Sequence, residues 1–242
     1  MTPLTRRRML RLVLQGGIGV ALLGAACTST EGDGEPDPVG TPAGTPGDTW
    51  SWHRTDLGFV SAYVLVRAGE AVVVDTGVAG SEDAIVATLE AAGVAATDVS
   101  DVILTHRHDD HIGSVEAVAS LAPGATLHAG ADDVARVPLD GVRALSGGDR
   151  VAGLDIVATP GHTPGHISVH DPATGLLVAG DALNGNADGT AVLGPNPDFS
   201  ADMDEAEASV RVLAALDVDT ILFGHGAPVV SGAGALLQDL TA

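Results

Sequence analysis

Val102-Ile103-Leu104-Thr105-His106-Arg107-His108-Asp109-Asp110-His111 decides how the rest of the chain is read. The apolar triplet ends a strand spanning 99–104, and the six residues after Thr105 include four side chains able to ligate a metal. Continued extension would send alternate side chains to opposite faces and part His108 and Asp110 from His111. A turn at the strand end instead aims His106, His108, Asp110 and His111 at one point. Imidazole together with carboxylate suits zinc, iron or manganese better than calcium or magnesium. The only cysteine, Cys27, lies far upstream, so such a site is built from nitrogen and oxygen.

The arrangement recurs downstream. Ile156-Val157-Ala158-Thr159-Pro160-Gly161 leads to His162, Leu177-Val178-Ala179-Gly180 to Asp181, and Ile221-Leu222-Phe223-Gly224 to His225. In layered α/β proteins, sites gather at the sheet edge where loops leave the strands. One such residue alone is more often a satisfied core or surface group. Five of the nine histidines and two aspartates, each just past an apolar strand, call for a metal. His166 is read as packing beneath the ligand loop, and His53, His128 and His170 as strand or surface residues. Arg107 and Asp109 either line the entrance or face solvent.

Around these points the pattern gives strands over 59–66 and 71–74, turning at Arg67-Ala68-Gly69-Glu70, with Asp75-Thr76-Gly77 closing the second. Helical spacing covers 81–92, with Ser81 at the N-cap position and Gly93 just past the end, and again 112–121. Strands over 126–129 and 154–159 follow, then a hairpin pairing 167–170 with 176–179, and a long polar loop over 183–199. A helix over 202–216, a strand over 220–223 and a closing helix over 233–240 complete the chain. Strands alternating with helices indicate a layered α/β domain.

Composition bounds the function. Of 242 residues, 45% are hydrophobic with mean hydropathy +0.27, which fits one sizeable core. There are no lysines, and four of the 11 arginines lie within the first 11 residues. After Cys27, 7 arginines stand against 32 carboxylates, which excludes nucleic acid as a partner. Aromatics make up only 2%, so stacking platforms are scarce.

Residues 1–27 read as a signal peptide. The basic head Thr5-Arg6-Arg7-Arg8-Met9-Leu10-Arg11 resembles a twin-arginine export signal, and the apolar run 12–23 is too short to span a membrane. Gly24-Ala25-Ala26-Cys27 resembles a bacterial lipoprotein box, so the expected address is the outer face of the cytoplasmic membrane, held by a lipid on Cys27. The alternative is secretion after cleavage following Ala26. Residues 28–48, rich in Gly, Pro, Thr, Asp and Glu, read as a disordered tether to a domain over 49–242.

The body resembles the metallo-β-lactamase superfamily of metal-dependent hydrolases. Its His-x-His-x-Asp-His pattern is matched by His106, His108, Asp110 and His111. Its later ligands are matched by His162 in Thr159-Pro160-Gly161-His162-Thr163-Pro164-Gly165-His166, by Asp181 in Ala179-Gly180-Asp181, and by His225 in Gly224-His225-Gly226. The match runs in order from Phe59 to His225.

The resemblance implies a four-layer αββα sandwich with two metals, zinc ordinarily and iron or manganese as variants. One would take His106, His108 and His162, the other Asp110, His111 and His225, with Asp181 bridging and Asp75 orienting ligands by hydrogen bonds. It implies a hydroxide held between the cations, its pKa lowered to about 7, with Asp110 handling the proton. The expected reaction is hydrolysis of a thioester, lactone or ester bond of a small molecule, as in the glyoxalase II-like branch. Glyoxalase II has a further C-terminal helical region that helps bind glutathione; 17 residues follow His225 here, so a glutathione thioester is not expected. Rival readings are a β-lactam-hydrolysing enzyme, a mononuclear iron sulfur dioxygenase and a non-catalytic metal-binding lipoprotein. Substrate choice is assigned to the 183–199 loop and the loop after Gly77.

Overall fold

A computed structural model describes residues 48–242. The expected signal peptide, Cys27 and all but the last residue of the expected tether lie outside the described residues. Among the described residues, no helix is long and apolar enough to cross a membrane.

The first half of the domain forms β1 (Ser51–Asp56), β2 (Ser61–Arg67), β3 (Glu70–Val74), α1 (Glu82–Ala91), β4 (Val99–Leu104), α2 (Asp109–Ile112), α3 (Val115–Leu121), β5 (Thr126–Gly130) and β6 (Arg143–Leu145). The second half forms β7 (Arg150–Val151), β8 (Leu154–Ala158), β9 (Ile167–Asp171), β10 (Leu176–Gly180), β11 (Asn184–Gly185), β12 (Val192–Leu193), α4 (Met203–Ala214), β13 (Thr220–Phe223) and α5 (Ala233–Asp239). One sheet has the order β1-β2-β3-β4-β5-β6 and the other β13-β10-β9-β8-β7.

Period-2 alternation along the strands sorts the apolar side chains into three separate cores. Tyr63, Leu65, Val72, Val74 and Ile103 of the first sheet meet Leu154, Ile156, Val169, Val178 and Leu222 of the second, filling the space between the sheets. Their neighbours Val64, Val73, Val102 and Leu104 point the other way, onto Ile85 and Leu89 of α1 and Val115 and Val118 of α3. On the far side, Leu177, Ile221 and Phe223 pack on Val210 and Leu213 of α4 and Leu237 of α5. Three cores between four layers make the αββα sandwich.

Several local expectations are revised. β1 has little apolar signal, because Trp52 and Thr55 are its only buried residues. Pairing with β2 along its whole length makes it a strand. The helix expected over 112–121 is two helices separated at Gly113-Ser114. There the Ser114 hydroxyl donates to Val78 O (2.7 Å) and accepts from the Ser81 amide (2.8 Å). Ser81 precedes α1 but contributes no side-chain cap. The polar loop after Asp181 contains the small β11–β12 hairpin, and β6 and β7 are too short to show periodicity.

Candidate metal centre

Strand direction brings the polar residues to one edge. β3 and β4 run parallel, as do β10 and β13. β8 and β10 each pair antiparallel with β9 and so point the same way. The chain therefore leaves β3, β4, β8, β10 and β13 close together, at Asp75, the 106–111 turn, His162, Asp181 and His225. The turn itself is extended through His108 (φ −70°, ψ 146°) and helical from Asp109. That change lets all four of its polar residues face one hollow.

Two groups form there. His106 Nε2 and His162 Nε2 lie 3.0 and 2.9 Å from His108 Nδ1. Asp110, His111 and His225 form the second group, with His225 Nε2 3.4 Å from Asp110 Oδ2. Asp181 stands between them: Oδ2 is 3.4 Å from His162 Nε2 and 3.3 Å from His225 Nε2, while Oδ1 is 3.4 Å from His111 Nε2. Gly224 allows this approach, since a Cβ there would overlap Asp181 Oδ1 and His111 Cε1.

Hydrogen bonds behind the rings decide which nitrogens face inward. Asp75 has a left-handed backbone (φ 62°). Its carboxylate accepts from the Thr105 amide (2.7 Å), the Thr105 hydroxyl (2.8 Å) and His111 Nδ1 (2.8 Å). Having given its one proton to Asp75, the Thr105 hydroxyl accepts from His106 Nδ1 (3.0 Å), so a neutral His106 presents a bare Nε2. His225 Nδ1 donates to Phe59 O (2.6 Å). His166 accepts the Asp181 amide at Nε2 (3.0 Å) and donates from Nδ1 to Thr159 Oγ1 (2.8 Å), which fixes the loop that carries Asp181.

Burial and the neighbouring carboxylates shift these groups in opposite directions. Burial holds His106 well below the ordinary imidazole pKa, and lowers His162 to about 4 and His166 to about 3. His108 is also lowered, mainly by burial. His111 is pushed down by burial, but Asp75 and Asp181 outweigh this and raise it. Bonds to Asp110 and then Asp181 raise His225 to about 10. Burial alone would raise Asp181, yet the surrounding imidazoles hold it well below the usual carboxylate range. Asp110 is lowered chiefly by its bond to His225.

A divalent cation fits this donor set. His111 Nε2 and Asp181 Oδ1 face each other, buried and without hydrogen-bond partners. Buried polar atoms are seldom left so. His108 Nδ1 has only one proton or one lone pair, so it cannot form a full hydrogen bond to each of two imidazole nitrogens. Donors around tetrahedral zinc at about 2.0–2.1 Å lie roughly 3.3 Å apart, close to the separations seen here.

All seven residues expected as ligands, with Asp75 behind them, are thus brought together. His53, His128 and His170 stay on their strands, His128 Nε2 bonding to Asp101 (2.7 Å) and His170 Nε2 to Asp217 O (3.1 Å). Sequence reasoning passed over Thr105, Thr159 and Asp133, a buried carboxylate that accepts from the Arg107 amide and the Thr163 hydroxyl. Thr105 sits at the strand end beside His106, the only signal it offered. Asp133, one of 32 carboxylates, gave none.

Comparisons with known proteins agree with the fold. The family model described as the metallo-beta-lactamase superfamily matches residues 55–225. A hydroxyacylglutathione hydrolase of Fuscovulum blasticum is 40% identical over 133 residues, covering 52% of this chain and 48% of that protein. The metallo-beta-lactamase domain-containing protein 1 of Xenopus laevis is 35% identical over 170 residues, covering 68% and 70%. A second hydroxyacylglutathione hydrolase, from Acidiphilium cryptum, is 34% identical, covering 68% of this chain and 63% of that protein. The chain thus spans 48% and 63% of the length of these two hydrolases. Among solved structures, a metallo-beta-lactamase family protein of Thermus thermophilus aligns with a TM-score of 0.62 at 23% identity, covering 81% of this chain and 78% of that one. At that identity the likeness is one of fold.

Proposed function

The chain belongs to the metallo-β-lactamase superfamily, and from that premise we propose that it is a hydrolase using two divalent metal ions, zinc in the first instance, to cleave a thioester, lactone or ester bond of a small molecule. The observation that carries this reading is Asp181, whose carboxylate reaches the nitrogens of His162, His111 and His225 at 3.3–3.4 Å and so spans both donor groups. His106, His108 and His162 would hold one ion, Asp110, His111 and His225 the other, and Asp181 both. Bound there, the pair supplies Lewis acidity and brings the pKa of a coordinated water down to about 7.

The protein's own groups do the rest. Asp110 lines the cavity with its carboxylate held in the ionised form, ready to accept a proton there. Phe59 and Phe199 stand at the mouth of this cavity of about 510 Å³, 63% and 68% exposed, where they can exclude water and cover an apolar substituent. Asn184 and Asn196 add neutral polar contacts, and among the described residues lining the cavity there is no arginine. An uncharged substrate suits such a wall better than one carrying the carboxylates of glutathione. The relatives' name supports a thioester, and the wall supports a neutral one.

The test is metal content of residues 49–242 by plasma mass spectrometry, with hydrolysis of thioester, lactone, ester and β-lactam probes. Two equivalents of zinc and turnover of a neutral thioester, lactone or ester, abolished by Asp181→Ala, are expected. One equivalent of iron without hydrolysis would overturn the reading.

We also propose export and lipid anchoring at Cys27, supported by Arg6-Arg7-Arg8 and the small residues before Cys27. The full-length protein should partition with membranes and its Cys27→Ala variant should not. Equal partitioning of the two would refute the anchor.

A further inference from the structure

The five candidate ligand imidazoles are not held alike. Protein atoms pin the outward ring nitrogen of His106 through Thr105, of His111 through Asp75 and of His225 through Phe59 O. Among the described residues nothing does so for His108, and His162 Nδ1 is buried without a partner. Yet His108 Nδ1 and His162 Nε2 meet at 2.9 Å although 54 residues separate them. Something other than a bond to the rings must set that approach.

We infer that Asp133, in the turn after β5, is the positioning residue for His108 and His162 and so sets the metal affinity of the three-imidazole group. The inference rests on the metal-binding reading above. Asp133 is fully buried, and each of its carboxylate oxygens accepts two hydrogen bonds. Oδ2 takes the Arg107 amide (3.2 Å) and the Thr163 hydroxyl (2.6 Å). Oδ1 takes Arg107 Nη1 (3.1 Å) and the Gly165 amide (3.2 Å). Arg107 immediately precedes His108, and Thr163 immediately follows His162. One side chain therefore ties together the two loops whose histidines have no pin of their own.

The surroundings support a clamp rather than a casual contact. The Asp133 amide bonds to Gly130 O (2.9 Å), anchoring the carboxylate to the end of β5. Gly165 lies so close that a Cβ there would come within 2.8 Å of Asp133 Cβ and Cγ. A carboxylate suits the position because all its partners but Thr163 are N–H donors, and it offers only acceptors. An asparagine keeps the shape but turns an NH2 toward at least one N–H group. That loosens both loops at once.

The test is zinc titration of Asp133→Asn by chelator competition, with long-range ¹H–¹⁵N correlation of the histidine rings to report each ligand separately. Loss of groups that orient metal ligands costs roughly 10–100-fold in affinity. A loss of that size is expected for the His106, His108 and His162 rings, with His111 and His225 still responding as in the wild type. Equal weakening at all five rings would overturn the inference. So would a lower melting temperature, in metal-free and loaded protein alike, with both affinities unchanged.

Should Asp133→Asn fail to fold, Thr163→Val removes the shorter of the two links between Asp133 and the His162 loop, and should weaken zinc at the His106, His108 and His162 group by about threefold to tenfold. Unchanged affinity in that variant overturns the clamp. A wild type whose His108 and His162 rings never respond to zinc refutes the metal reading itself. Normal wild-type loading matched by Asp133→Asn refutes only the role given to Asp133.

Discussion

The floor and the mouth of the cavity are built on opposite principles. On the floor, His106, His111, His162 and Asp181 are at most 6% exposed, and the loops that carry them are tied by Asp75, Thr105, Thr159 and Asp133. At the mouth, Phe59 and Phe199 project from loops outside the regular strands and are more than 60% exposed. The floor is pre-organised, so its contribution to a reaction depends on keeping positions fixed. The mouth can change sequence at little cost to the fold. Reaction class therefore belongs to the floor and substrate preference to the mouth.

The strongest way to break this division is Asp181→Ala. It removes the one carboxylate spanning both donor groups, and kcat/KM should fall roughly a thousandfold or more, since loss of a shared metal ligand removes several kcal/mol of transition-state stabilisation. Metal content should drop below two equivalents in the same preparation. Full retention of both would show that the two donor groups do not work as a pair.

Asp75→Asn probes the support rather than the donors. It weakens the bond to His111 and unsettles Thr105 behind His106. A loss of about 10–100-fold in metal affinity is expected, read by chelator competition. An affinity within twofold of the wild type would mean the floor is held by packing alone.

Phe59→Ala and Phe199→Ala address the mouth. Each should raise KM for a long-chain neutral ester by roughly fivefold to tenfold, the worth of about 1–1.5 kcal/mol of apolar contact. The metal content should stay at the wild-type value. If kcat alone falls while KM holds, the boundary between floor and mouth is wrongly drawn, most plainly at Phe59, whose carbonyl also holds His225.

The smallest effect concerns acid. In the metal-free protein His162 and His166 titrate at about 4 and about 3, below their ordinary value of 6.5. Between those limits the unfolded chain binds more protons than the folded one, so stability falls as pH drops from 6.5 toward 4. Melting temperatures of metal-free protein at pH 7, 6, 5 and 4 should decline accordingly. A flat profile would mean that these rings are not held neutral in the fold.

Much of this was legible in the sequence, and for identifiable reasons. His106, His108, Asp110 and His111 stand together after an apolar strand, and His162, Asp181 and His225 repeat that placement, so local pattern was enough to gather the candidate ligands. The strands that fill the cores are either apolar runs, as in β2, β3 and β10, or apolar–polar alternations, as at Ile167-Ser168-Val169-His170 in β9. β1 was missed because only Trp52 and Thr55 face inward. The break at Gly113-Ser114 was missed because the Ser114 hydroxyl finds its partners 33 and 36 residues away.

The sequence by itself determined the candidate donor set, the layered α/β class and the acidic, lysine-free character of the chain, since each follows from residue type and short-range spacing. Only the tertiary structure decided which nitrogen of each ring faces inward, that Phe59 and Phe199 share one mouth, and that Asp133 ties the His108 loop to the His162 loop. Those facts rest on contacts between residues far apart in the chain, where direction and distance are set by how two sheets pack, and no local pattern records them.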